Sequence, residues 1–247
     1  FREKRAARRH GRAAPKRKIC SSDMDIALFP LPNLVLFPNV ILPLHIFEER
    51  YKAMINNCID RGEAFGLVLL KSDAQEEAEE TIHRVGVTAR IIQVEQLEAG
   101  RMNILSRGED RFRIHRFIQP APYWKAAVTV FEDDASHPSV QSLHAEVSQL
   151  YEKLCHLGGQ LSAPGEPAPV LAESSTDLSY LISYALDIDP EEKQRLLEIT
   201  STAERLRVLA GHLNAAILRL EQQVAYKKLI VKVRGNGDLG HPGKDVI

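Results

Sequence analysis

The chain has 247 residues, with 44% hydrophobic side chains and a formal net charge of −1. This composition permits a proper hydrophobic core and one large or two modest domains. The three cysteines are an odd number with no Cys-x-x-Cys pair, which excludes a disulfide framework and a zinc site and favours the reducing cytoplasm.

The charge is unevenly distributed, because residues 1–18 hold nine Lys or Arg against one Glu. A basic block of this kind is typical of a nucleic-acid arm or a targeting signal. We instead interpret residues 1–23 as a disordered tail of non-native origin, since the sequence MDIALFPLPN has the character of a natural start at Met24. The rest of the chain is acidic.

Residues 29–51, FPLPNLVLFPNVILPLHIFEERY, are among the most apolar in the chain, yet they include four prolines. Proline inside a helix removes a hydrogen bond and clashes with the preceding turn, so this stretch cannot be one membrane-spanning helix. No small-residue cleavage site ends the stretch, which excludes a secretory signal. We predict two short buried strands, at residues 25–28 and 34–40, joined by proline turns.

The next part of the chain changes from a helical to an extended pattern. Apolar residues from Phe47 to Cys58 recur at helical spacing, and Gly62 is a suitable helix end. Strand patterns then occupy residues 65–70 and several segments of residues 85–133. Six or seven strands in so little chain predict a small, strongly curved sheet or barrel.

Beyond a polar linker at residues 132–139 the apolar residues recur only at helical spacing. Asp189-Pro190 and the Ser201-x-x-Glu204 capping box each predict a helix start. We therefore divide the chain into a β domain at residues 24–132, a helical bundle at 140–232 and a disordered tail at 233–247.

Sequence motifs for catalysis are missing. The chain has no phosphate-binding loop, no Gly-x-Ser-x-Gly elbow and no Ser-x-x-Lys pair, so we predict a protein that is not an enzyme and needs no cofactor. His45 with Glu48 and Glu49 could be considered as metal ligands, but no second histidine stands at matched spacing. We interpret His45 as a residue that caps or packs at the start of the following helix.

Three segments together resemble the amino-terminal substrate-binding domain of the Lon ATP-dependent proteases. They are IALFPLPNLVLFPNVILPLHIFEERYKAMINNCIDRGEAFGLVLL, RVGVTARIIQVEQLEAGRMNILSRGEDRFRI and LDIDPEEKQRLLEITSTAERLRVL. The resemblance implies an α+β fold, with a PUA-like curved sheet or barrel followed by a helical bundle. It also implies similarity to stand-alone Lon-domain proteins, which lack the ATPase and protease modules.

The resemblance implies a binding module for exposed apolar segments of unfolded or damaged proteins, working with a separate protease or chaperone. Such a module needs an exposed apolar groove with a polar rim. The candidate contact residues are Phe37, Pro38, Leu44, Phe47, Tyr51, Tyr123 and Trp124.

Two alternatives remain open. The first is RNA binding through a basic strand face, for which the candidates are Arg111, Arg113, His115 and Lys125. We favour a solvated face with cross-strand ion pairs for these residues, and no nucleic-acid partner. The second alternative is an adaptor or oligomerisation module that works through the long final helix at residues 203–228.

Overall fold

The computed structural model describes residues 24–71, 78–134, 138–161 and 171–235 of the chain. Its six strands are β1 (Met24–Leu31), β2 (Ile41–Ile46), β3 (Phe65–Leu70), β4 (Ile82–Gln96), β5 (Met102–Gln119) and β6 (Lys125–Phe131). Its five α-helices are α1 (Glu49–Arg61), α2 (Val140–Gly159), α3 (Ser175–Ala185), α4 (Pro190–Glu198) and α5 (Thr202–Gly235). Strands come first and four of the helices follow them, so the predicted α+β class is confirmed.

Several predicted irregular segments lie outside the described residues. They are the tail at residues 1–23, most of the tail at 233–247, and parts of the predicted loops and linker. Residues 233–235, which we predicted to belong to the tail, are the last turn of α5.

The strands form one mixed sheet in the order β2-β5-β4-β3-β1-β6, and β6 also pairs with β5. β1 and β3 are parallel, and the other pairs are antiparallel. With 18 residues, β5 pairs with β2 along its first part and with β6 along its last part. Register shifts interrupt its ladders with β4 and β6, and such bulges bend a strand. The sheet is therefore strongly curved.

The predicted strand at residues 34–40 is wrong, because this segment is a buried loop. Its end is fixed by Gly108, whose N–H donates to the Val40 carbonyl and whose carbonyl accepts from the Asn39 N–H, both at 2.9 Å. Asn39 adopts a left-handed conformation with φ of 63°, which ends the extended geometry. The next strand, β2, therefore begins only at Ile41.

The inner face of the curved sheet holds its own small core around Phe112 and Trp124. Two strand positions must be glycine to make room for the Phe112 ring. A Cβ on Gly86 would lie 2.7 Å from that ring, and a Cβ on Gly66 would lie equally close. The large main core lies on the other face of the sheet and continues into helices α1 to α5.

The helix ends follow the local chemistry predicted from the sequence. Gly62 closes α1 with φ of 63°. The Asp189 carboxylate accepts from the Glu191 N–H at 2.8 Å at the start of α4, and the Ser201 hydroxyl accepts from the Glu204 N–H at 3.3 Å at the start of α5. These caps satisfy N–H groups that have no partner inside the helix.

A buried ion cluster joins the strands to the helices. Asp133, just after β6, pairs with Arg111 of β5 and with Arg205 of α5, and it accepts hydrogen bonds from Tyr180 and Thr202. Both guanidinium groups are almost fully buried. Burial lowers the pKa of Arg111, and burial raises the pKa of Tyr180 to about 12. Two cations share one carboxylate here, so the cluster depends on Asp133.

Candidate functional site

The outward face of β2 presents a row of uncovered side chains. Ile41, Pro43 and His45 point outward, whereas Leu42 and Ile46 point into the main core. Phe47 follows directly after β2 with 59% of its surface exposed, and Ile41 is 55% exposed. The Phe47 and His45 rings stack with their centroids 5.9 Å apart. Exposed aromatic and aliphatic side chains on one strand face are typical of a binding surface.

The strand register extends this face across β5 and β4. Residues directly opposite one another on neighbouring strands form three cross-strand rows. The rows are Ile41–Arg107–Arg90, Pro43–Leu105–Gln93 and His45–Asn103–Glu95. We call the last two rows the groove, because together with Leu44 and Ile104 they line an open depression of about 440 Å³.

The His45–Asn103–Glu95 row is connected by hydrogen bonds. The Asn103 amide N–H donates to a Glu95 carboxylate oxygen at 2.9 Å, and the Asn103 amide oxygen lies 2.8 Å from His45 Nδ1. A carboxylate only accepts, so the amide nitrogen must face Glu95 and the amide oxygen must face His45. His45 Nδ1 is therefore the protonated nitrogen, and Nε2 of the neutral ring carries a lone pair.

The row of Ile41, Arg107 and Arg90 lies outside the groove, and its two guanidinium groups face the Glu109 carboxylate. Glu109 accepts from Arg90 Nε at 2.7 Å, and Arg107 Nη2 lies 3.6 Å from the same carboxylate. The hydrogen bond from Arg90 to Glu109 raises the pKa of Arg90. Both guanidinium groups are thus held next to an acid, outside the groove.

The free edge of β2 is protected at its centre. Among the described residues β2 pairs only with β5. The Val40 carbonyl accepts from the Gly108 N–H, while the Val40 N–H donates to the Phe37 carbonyl. Residues whose backbone groups face the partner strand alternate in an antiparallel ladder, so Leu42 and Leu44 direct theirs toward β5 and Pro43 does not. The backbone nitrogen of Pro43 therefore faces the free edge, where a proline causes no loss of pairing.

Two of the seven predicted peptide-contact residues belong to this surface. Phe47 is exposed beside the groove, and Leu44 is half-buried and lines it. The other five predicted contacts are buried, namely Phe37, Pro38, Tyr51, Tyr123 and Trp124. They are corrected to core residues, since a fully packed side chain offers no surface to a ligand.

The contacts of the buried aromatic residues explain their position. The Tyr51 ring packs against Phe29 with centroids 4.1 Å apart. The Tyr123 hydroxyl accepts a hydrogen bond from the Asn57 amide at 3.1 Å, and Trp124 contacts the Phe117 ring edge-on at 5.2 Å. Each ring is thus held by the neighbouring elements of the fold.

The predicted RNA-binding residues do not share one exposed face. Arg111 is buried in the ion cluster, so its assignment to a solvated strand face is wrong. Arg113 and His115 are exposed, and His115 Nε2 lies 2.7 Å from the Thr129 hydroxyl oxygen. Lys125 is half-buried, with its ammonium group 5.5 Å from the centre of the Tyr123 ring.

Most residues of this surface were not predicted from the sequence. Ile41, Pro43, Asn103, Leu105 and Glu95 carry no motif, and the strand predicted at residues 34–40 ends just before β2 begins at Ile41, so the alternation of β2 was not recognised. The available signal was the spacing of Ile41, Pro43, His45 and Phe47 at every second position.

The described residues contain neither a candidate metal site nor a candidate membrane-spanning helix. No group of three or more His, Cys, Asp or Glu residues in the described part of the chain could hold a metal ion. No helix within the same residues is long and apolar enough to cross a membrane.

A family model described as "ATP-dependent protease La (LON) substrate-binding domain" matches residues 25–215. The chain belongs to this family. The match extends from the second residue of β1 into the middle of α5, so the groove lies inside the Lon substrate-binding domain.

Among curated proteins, the chain is similar to Lon proteases. It is 26% identical over 200 residues to the Lon protease of Cytophaga hutchinsonii, covering 79% of this chain and 25% of that protein. It is 29% identical over 218 residues to the Lon protease of Amoebophilus asiaticus, covering 86% of this chain and 26% of that protein. The chain therefore spans about a quarter of the length of these relatives.

Solved Lon domains have the same fold. The crystal structure of a Lon N-terminal domain protein from Xanthomonas campestris matches 76% of this chain and 98% of its own, with a TM-score of 0.56 and 21% identity. The N-terminal domain of the Mycobacterium avium complex Lon protease matches 77% of this chain and 98% of its own, with a TM-score of 0.58 and 21% identity.

Proposed function

We propose that this Lon domain binds exposed apolar segments of unfolded or damaged proteins on the outward face of β2, β5 and β4. The observation that carries the proposal is the groove with its two uncovered apolar neighbours, Ile41 and Phe47. Its family supports the same role, since the matching model describes the substrate-binding domain of an ATP-dependent protease.

The chemistry of the face suits an extended segment of a protein. Pro43 and Leu105 form an apolar floor, while His45, Asn103 and Glu95 form a polar border. Burying one aliphatic or aromatic side chain contributes roughly 1.5–3 kcal/mol, and ordering a flexible segment opposes this gain. A site with a few such contacts binds weakly and tolerates many sequences, as recognition of unfolded chains requires.

The role that we propose is not catalytic. The chain holds captured segments for a protease, because the family model that it matches describes the substrate-binding domain of an ATP-dependent protease. Cys58 and Cys155 do not form a disulfide with each other, which supports action in a reducing compartment such as the cytoplasm.

Binding to a permanently unfolded protein tests this role. The full chain is titrated against fluorescent, reduced and carboxymethylated α-lactalbumin, and separately against single-stranded RNA, at low and moderate salt. We expect saturable binding to the unfolded protein that persists at moderate salt, since apolar burial is not screened by ions. Phe47→Ala and Ile41→Ala should each weaken it about fivefold, in line with the loss of one apolar contact.

The matched control is Leu218→Ala on α5, because Leu218 is 58% exposed and Phe47 is 59% exposed. This substitution removes a comparable surface side chain far from the groove in sequence, so affinity should stay unchanged. Binding to RNA alone, lost as salt rises, would overturn the proposal, as would equal effects of Leu218→Ala and Phe47→Ala.

A further inference from the structure

The groove carries one carboxylate, Glu95, and no salt bridge joins it to another described residue. Of the eight described residues that line the groove, Glu95 is the only acidic one, and Lys and Arg are missing from the lining. The guanidinium groups of Arg90 and Arg107 lie two rows away and already face Glu109. A ligand with a positive charge can therefore bind Glu95 without breaking a salt bridge between described residues.

The hydrogen-bonded row makes this end of the groove an acceptor site. Asn103 uses one amide N–H on Glu95 and fixes the proton of His45 on Nδ1. The remaining lone pairs of the Glu95 carboxylate are left to accept hydrogen bonds from a ligand. Ammonium and guanidinium groups donate several hydrogen bonds and accept none, so they complement this row.

The distance between the two rows sets where the charge must lie in the ligand. The apolar row at Pro43 and Leu105 and the acceptor row at His45 and Asn103 are separated by two residues along each strand. In an extended peptide, side chains two residues apart point to the same side and are about 7 Å apart. Adjacent side chains point to opposite sides, so a neighbouring position does not suit both rows.

We propose that the groove selects extended segments in which an apolar residue and a lysine or arginine are two positions apart. The apolar side chain packs on Pro43 and Leu105, and the cation binds Glu95. This selectivity deepens the proposed function and rests on it, because it names the class of segment that the same face prefers.

Three fluorescent ten-residue peptides test the selectivity with the full chain. All share one central Phe in a Gly-Ser background. The first carries Arg two positions after Phe, the second carries Gln there, and the third has the composition of the first but places Arg directly after Phe. We expect the first peptide to bind about fivefold more tightly than either of the others, as for one exposed charge pair.

Substitution of Glu95 tests whether its carboxylate causes the preference for the first peptide. Glu95→Gln should remove the preference, so that the first peptide and the Gln peptide bind with equal affinity. Glu98→Gln is the matched control, since Glu98 is exposed on the turn between β4 and β5 and does not line the groove. It makes the same charge change, and the preference should survive it.

The outcomes separate the two proposals. Equal affinities for the three peptides, or a preference that persists in Glu95→Gln, would overturn the selectivity and leave apolar recognition standing. If no peptide binds and the unfolded protein does not bind either, both proposals are wrong.

Discussion

Asp133 holds the charge balance of the buried junction between strands and helices. It is the carboxylate shared by Arg111 and Arg205, and Tyr180 and Thr202 also donate to it. Breaking a buried ion pair by removing one partner leaves an uncompensated charge, which costs much more than the pair contributes.

Replacement of Asp133 should therefore be among the most damaging single changes. We expect Asp133→Asn to lower the free energy of unfolding by about 3–5 kcal/mol, measured by urea denaturation. Asp134→Asn is the matched control, because Asp134 is the exposed neighbour and its carboxylate accepts a hydrogen bond from the Thr200 hydroxyl at 2.8 Å. A loss below about 1 kcal/mol for Asp133→Asn, similar to that of the control, would contradict this interpretation.

Phe37 and Phe47 show that the burial of a side chain cannot be predicted from its residue type alone. Both belong to the same apolar run, yet Phe37 is fully buried and Phe47 is 59% exposed. Their burial depends on the loop before β2 and on the register of β2 with β5, which are contacts distant in sequence. The apolar run indicated a region of buried or ligand-binding residues. No local sequence pattern could show which of these residues are buried and which are exposed.

Among the elements, β3 and β4 depend on glycine at the positions that face the Phe112 ring. Gly86 of β4 lies opposite Phe112 in the ladder, and a Cβ there would also meet Val68 and the Leu67 carbonyl oxygen. A helix makes no such demand on Gly211 in α5, since nothing lies within 4 Å of its Cβ direction.

The same substitution should therefore have opposite effects in the two elements. Gly86→Ala overpacks the inner core and should lower the free energy of unfolding by about 1–3 kcal/mol. Gly211→Ala should raise it by up to about 1 kcal/mol, because alanine loses less backbone entropy in a helix. Thermal denaturation followed by circular dichroism compares the two, and a stable Gly86→Ala protein would show that Phe112 can move.

Among the secondary-structure elements, several helix ends were predicted correctly from the sequence and one strand was predicted wrongly. Gly62, Asp189-Pro190 and Ser201 act on backbone groups within a few residues, so their chemistry is visible locally. Residues 34–40 have the apolar character of a strand, but their conformation is fixed by hydrogen bonds to Gly108. The sequence predicted only several strand segments within residues 85–133, and the full length of β5 was not visible for a similar reason, since its bend depends on two different partner strands.

The whole molecule is held by a core that does not stop at the predicted domain boundary. Residues from β1 to β5, from α1 and from all four later helices belong to the same buried cluster. The ion cluster of Asp133 crosses the same junction. We therefore expect the strand-rich and helical parts to unfold together.

Trp124 allows this cooperativity to be measured, because it is the single tryptophan and lies in the inner core of the sheet. Its fluorescence and the helical circular dichroism signal should have the same urea midpoint. Leu213→Ala in α5 should shift both midpoints equally, at a cost of roughly 2–5 kcal/mol. A helical signal that is lost at lower urea than the Trp124 signal would instead indicate two independent units.

Pro43 at the centre of β2 limits how the free edge of the sheet can pair with other polypeptide chains. An open strand edge can template the growth of further strands, and captured polypeptides would be well placed to join it. Pro43 presents no N–H at the middle of that edge, so an incoming strand cannot form a continuous ladder there. Under the proposed function, a segment bound by its side chains would therefore not extend the sheet through this edge.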